Sequence, residues 1–158
     1  MSAGSAAVVL NHTTLWVVGG TNGENNDDSK YTSEFVSLKK HSTQGPQLPF
    51  TVYAHCMVKY NEDEIFLIGG FQNDTLSNQV WIFNPKNKTH TKGPNLNHER
   101  RFFACGKMKK NNKFILVVVG GQGSSGTSLN SVEILDPKSD KGWIQGPKLP
   151  YKLGIIHK

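Results

Sequence analysis

The run Leu15-Trp16-Val17-Val18-Gly19-Gly20, an apolar segment closed by paired glycines, returns as Ile65 to Gly70 and again as Val117 to Gly121, at steps of 50 and 51 residues. A second marker keeps nearly the same beat: Gly45-Pro46, Gly93-Pro94 and Gly146-Pro147, followed by Leu48, Leu96 and Leu149. Two markers in one phase define an internal repeat. A unit of about 50 residues that cannot bury its apolar face alone must lean on its neighbours, which limits the chain to stacked-repeat architectures.

Each repeat reads as four short strands. In the first, Ala6 to Leu10, Leu15 to Val18, Tyr31 to Leu38 and His41 to Gln44 are expected to be extended, with the polar loop Thr21 to Lys30 on the surface. The second places strands at Ala54 to Tyr60, Ile65 to Ile68, Val80 to Phe83 and Thr89 to Lys92. The third places them at Phe103 to Met108, Phe114 to Val119, Val132 to Leu135 and Trp143 to Gln145. The tail after Pro150 matches the opening of a fourth unit, so the divisions fall at 1–53, 54–102, 103–150 and 151–158.

Composition narrows the function classes. The 36% apolar content is gathered into short runs, a globular pattern. No apolar run approaches the roughly 20 residues needed to cross a bilayer, so no membrane association is expected. The N-terminal stretch lacks the basic region of a secretion signal, and the chain is expected to be cytoplasmic. Cys56 and Cys105, one in each of two repeats, read as two copies of one position and are expected to be buried free thiols rather than a disulfide. Three sequons, at Asn11, Asn73 and Asn87, are about what chance would supply in an Asn-, Ser- and Thr-rich chain.

The apolar Gly-Gly run, the Val-x-Ile-Phe-Asn-Pro and Val-Glu-Ile-Leu-Asp-Pro segments that follow, and Trp143 four residues before Pro147 resemble the kelch repeat. One such repeat is a four-stranded blade of a β-propeller. Ser42 and His90 stand where the family's strand-d tryptophan would be, and Val117 replaces the strand-b aromatic. The resemblance implies an all-β fold, a partial kelch-type β-propeller of three four-stranded antiparallel blades plus the start of a fourth. It also implies that the outer blades need covering by further blades or by a second copy of the chain.

With the strands occupied in packing, function is expected on the loops. Antiparallel order sends the b-c and d-a loops to one face of the disc and the a-b and c-d turns to the other. The second face carries most of the net charge of +6, but its lysines sit singly on turns with no stacking aromatics between them, so no nucleic-acid partner is expected. On the first face Arg100 and Arg101 are the sharpest candidates. By resemblance, arginines in this loop of kelch adaptors grip acidic peptide motifs, and guanidinium forks suit carboxylates. Tyr53 in the matching loop, Asn73 and the Ser124-Ser125 loop complete the candidate partner-binding set.

The expectation is therefore a non-catalytic module for a protein partner, with no cofactor, no metal and no catalytic residue. The resemblance points to ubiquitin-ligase substrate adaptors or actin-associated scaffolds as parents. A kelch-type copper-radical oxidase is the alternative, but the six histidines fall on different turns and strands without ligand spacing.

Overall fold

The computed structural model describes residues 4–21 and 32–152. Strands β1 (Ala6–Asn11), β2 (Thr14–Val18), β3 (Ser33–Ser37) and β4 (Thr43–Gln44) form the first antiparallel sheet, in chain order. A short strand β5 (Val52–Tyr53) then leads into β6 (Cys56–Lys59), β7 (Ile65–Ile68), β10 (Val80–Asn84) and β11 (Thr89–Lys92), the second sheet. The third comprises β12 (Ala104–Lys110), β13 (Lys113–Val119), β14 (Val132–Leu135) and β15 (Ile144–Gln145).

The three expected blades are thus present. The expected fourth unit beyond Lys152, the start of strand c at Tyr31 and the polar loop beyond Thr21 lie outside the described residues.

The continuous apolar run of β7 is explained by burial on both sides. On one face of the second sheet Met57, Ile65, Leu67 and Phe83 pack against Val8, Trp16 and Val18 of the first. On the other face Val58, Phe66, Ile68 and Val80 pack against Leu116, Val118, Leu135 and Trp143 of the third. The outer faces of the first and third sheets have no such cover among the described residues. Cross-strand pairing puts Ala7, Val9, Leu15, Val17 and Val36 on one, and Met108, Ile115, Val117, Ile134 and Ile144 on the other. Val9 is accordingly 60% exposed and Met108 57%.

Both repeat markers have a mechanical meaning. The glycine pairs leave strand b with positive φ at every copy: 61° and 106° at Gly19-Gly20, 56° and 75° at Gly69-Gly70, 65° and 89° at Gly120-Gly121. A Cβ on Gly70 would stand 2.6 Å from the Tyr53 carbonyl oxygen, and one on Gly121 2.6 Å from that of Arg101, so the backbone must pass bare. The Gly-Pro marker closes strand d onto strand c: Gly45, Gly93 and Gly146 donate their N–H groups to the carbonyls of Ser33, Val80 and Val132.

Two features depart from the sequence expectation. Cys56 and Cys105 are joined in a disulfide, with Cα atoms 6.1 Å apart, and the described residues hold no free cysteine. The physical reason is register. Cys56 pairs with Ile68, the last residue before its glycine pair, whereas Cys105 pairs with Val118, one residue earlier in its strand. Two cysteines at the same position would point the same way around the ring and never meet. An offset of one residue turns Cys56 toward the third sheet and Cys105 back toward the second, within disulfide reach. The second departure is a three-stranded sheet of β5, β8 (Phe71–Gln72) and β9 (Thr75–Leu76), where only loop was expected.

Candidate functional site

The connections between sheets converge on one face of the disc. Each is tied to the glycine pair of the sheet it leaves: Gly20 N–H donates to the Val52 carbonyl at 2.9 Å, and Gly70 N–H to that of Arg100 at 2.8 Å. Each then pairs with the segment that follows the glycine pair of the sheet it enters, through Tyr53 and Phe71 in one case and Arg101 and Gln122 in the other. Neighbouring connections are also linked. Ala54 N–H donates to the Gly4 carbonyl and Phe102 N–H to that of Ala54, so matching positions form a chain of hydrogen bonds around the axis. All three take positive φ, at 77°, 54° and 51°, a strained choice for alanine and phenylalanine that the surrounding bonds enforce.

This frame separates the two arginines. Arg100 is fully buried. Its Nη1 donates to the Gly120 carbonyl at 2.8 Å, while its Nη2 donates to Ser131 Oγ at 2.9 Å and to Glu133 Oε1 at 2.7 Å. Glu133, also fully buried, accepts further from the Asn97 N–H and Nδ2 and from the His98 N–H. Arg100 therefore cannot meet a partner as expected: it is a clamp holding the second connection to the third sheet. The signal for it was Glu133, one acid inside the apolar run Val132 to Leu135.

Arg101, next in an extended backbone, points the other way. Its guanidinium carbon lies 5.0 Å from the Phe71 ring centre and 5.6 Å from that of Phe102, while Phe71 stacks on Tyr53 at 4.7 Å and 17°. The structure thus brings Arg101 and Tyr53 together through Phe71, which sequence reasoning missed because it sits in a two-residue strand. The four side chains form a half-buried ladder, Tyr53, Phe71, Arg101, Phe102. The Arg101 Nε makes no hydrogen bond. A flat cation held between aromatic faces keeps its outer N–H groups in a fixed orientation, suited to a carboxylate.

The other candidates lie apart. Asn73, at φ 49° on the β8–β9 turn, spends its side-chain oxygen accepting the Thr51 N–H at 3.3 Å. Ser124 opens a single 3-10 turn, Ser124–Gly126, and lines an open cleft of ≈ 510 Å³ with Asn97, His98, Glu99 and Thr127. Ser125 caps the turn's exposed tip at φ 57°.

Among the described residues no three His, Cys, Asp or Glu side chains are grouped to hold a metal ion. No helix there is long and apolar enough to cross a membrane.

Residues 61–97 and 115–150 each match the Kelch motif. The chain carries kelch repeats. A solved structure titled "Structure of YjhT" is similar in fold, with a TM-score of 0.71 at 11% sequence identity. The likeness covers 95% of this kelch chain and 52% of that one, so the chain spans about half the length of that structure. No curated protein sequence matches it.

Proposed function

We propose that this chain is a non-catalytic interaction module that presents the connection face of its kelch blades to an acidic segment of a protein partner. The observation that carries this reading is Arg101, its guanidinium fixed between Phe71 and Phe102 beside Tyr53. An arginine pre-oriented in this way loses little side-chain entropy on binding, and a stacked aromatic neighbour adds contact area. The cleft lined by Glu99 and Ser124, apart from the ladder, gives a second, polar surface for the partner.

The reading extends to the outer sheet faces, which are covered by further blades or by a second copy of the chain. Their apolar lining and the doubled length of the similar structure support this. The Cys56–Cys105 disulfide weighs against ubiquitin-ligase adaptors and actin-associated scaffolds, which work in the reducing cytosol, as parent classes. Selection from a displayed random-peptide library tests the reading. Enrichment of sequences with clustered Asp and Glu is expected, and enrichment of basic or purely apolar sequences would refute it.

A further inference from the structure

Asn11 and Asn87 head two turns of the same design on the face opposite the connections. Asn87 Oδ1 accepts the Thr89 N–H at 3.1 Å and the Thr89 Oγ1 hydroxyl at 2.6 Å. Asn11 Oδ1 accepts the Thr13 N–H at 3.0 Å and the Thr13 Oγ1 hydroxyl at 3.2 Å. Each turn closes within three residues, so it is available to the chain before any sheet forms. In both, the amide Nδ2 is exposed and makes no hydrogen bond.

Two asparagines outside the sequons show the contrast. Asn78 Nδ2 donates to the Leu96 carbonyl, and Asn97 Nδ2 to Glu133 and to the Trp143 carbonyl, so neither nitrogen is free for substitution. The third sequon differs as well, since Thr75 Oγ1 turns to the Asn73 main-chain carbonyl.

A second, independent observation names the compartment. Both cysteines of the chain are consumed in one bond between adjacent blades. Structural disulfides form and persist in oxidising compartments and are rare in the cytosol.

We propose that this chain matures in an oxidising secretory compartment and is N-glycosylated at Asn87 and Asn11. In the transfer step the asparagine Nδ2 attacks C1 of a lipid-pyrophosphate-linked oligosaccharide. The N–C1 bond forms, the C1–O bond to the pyrophosphate breaks, Nδ2 gives up one proton, and the lipid pyrophosphate leaves with no change of oxidation state. Separately, the two thiols lose two protons and two electrons to a disulfide oxidant of the same compartment. Glycans at these two sites stand on the a-b and c-d turns, among Lys39, Lys86 and Lys88. They leave the connection face and both outer sheet faces open.

The test is peptide mapping of the protein isolated from the cells that make it, after enzymatic deglycosylation in heavy-oxygen water. The proposal expects Asn87 and Asn11 to be recovered as oxygen-labelled aspartate, with no cysteine alkylated before reduction. In the full chain directed through a eukaryotic secretory pathway, Asn87→Gln and Thr89→Ala each remove one glycan's mass, whereas Thr89→Ser retains it. Recovery of Asn87 as unmodified asparagine, or retention of the glycan mass in Asn87→Gln, overturns the proposal.

Discussion

Arg100 Nη2 lies 2.7 Å from Glu133 Oε1 with both side chains wholly inaccessible to solvent, and this pair pins the connection between the second and third blades. Removing one partner leaves a buried, uncompensated charge. Arg100→Met is therefore expected to lower stability by about 3–5 kcal/mol in a urea titration. The Arg100→Met, Glu133→Met double variant should lose much less than the sum of the two single changes. Additive losses would show that the two groups do not depend on each other.

The disulfide between Cys56 and Cys105 bridges a sequence separation of 49 residues. Loop-closure entropy for a ring of that size stabilises the fold by about 4 kcal/mol. Replacing both cysteines with serine is expected to lower the denaturant midpoint accordingly, and adding a reductant to the unmodified chain should reproduce the shift. A reductant effect that persists in the double-serine variant would contradict this account.

Gly70 and Gly106 give opposite expectations for one substitution. At Gly70, φ is 75° and an added Cβ would meet the Tyr53 carbonyl at 2.6 Å and the His55 backbone at 2.7 Å. Gly106 lies within β12 and has open space where a Cβ would go. Gly70→Ala should cost more than about 1–3 kcal/mol, since both φ strain and a backbone clash are imposed. Gly106→Ala should stay within about ±0.5 kcal/mol. Thermal melts of the two variants side by side decide it.

His55 is buried, with neither ring nitrogen hydrogen-bonded, and burial pulls its pKa down from 6.5 to about 3. The folded state thus keeps it neutral where the unfolded chain takes up a proton. The stabilising effect is complete above pH 6.5 and is lost as pH falls from there toward 3, at up to about 1.4 kcal/mol per pH unit. Phe103 occupies the matching position in the next connection, so His55→Phe is a substitution the site can hold. It should flatten the acid limb of a stability–pH profile measured by urea titration. An unchanged slope would assign the acid sensitivity to other groups.

How far the sequence alone reached follows from which forces act locally. Strands β7 and β14 lie at the bounds expected because short, mainly apolar runs between turn residues mark them. Strand β11, the polar run Thr89–Lys92, does so because it stands directly before the Gly93-Pro94 repeat marker. Strands β5, β8 and β9 have two residues each, too short to show any alternation, and they exist only because adjacent connections meet there. The disulfide was hidden by a one-residue difference in register between β6 and β12, invisible until the strands are paired. The candidate face was found in part. An Arg-Arg pair in an extended loop must send its two side chains opposite ways, and only the position of Glu133 determines which one is buried.

The central claim is that the Tyr53–Phe71–Arg101–Phe102 ladder receives an acidic peptide. Its most direct measurement is a fluorescence-anisotropy titration of a labelled Asp/Glu-rich peptide with the unmodified chain, Arg101→Ala and Arg101→Lys. The account predicts saturable binding by the unmodified chain. It predicts a loss of at least about tenfold in Arg101→Ala, equivalent to about 1.4 kcal/mol, and only partial recovery in Arg101→Lys, which keeps the charge without the planar fork. Equal affinity in all three, or no saturable binding by the unmodified chain, would contradict it.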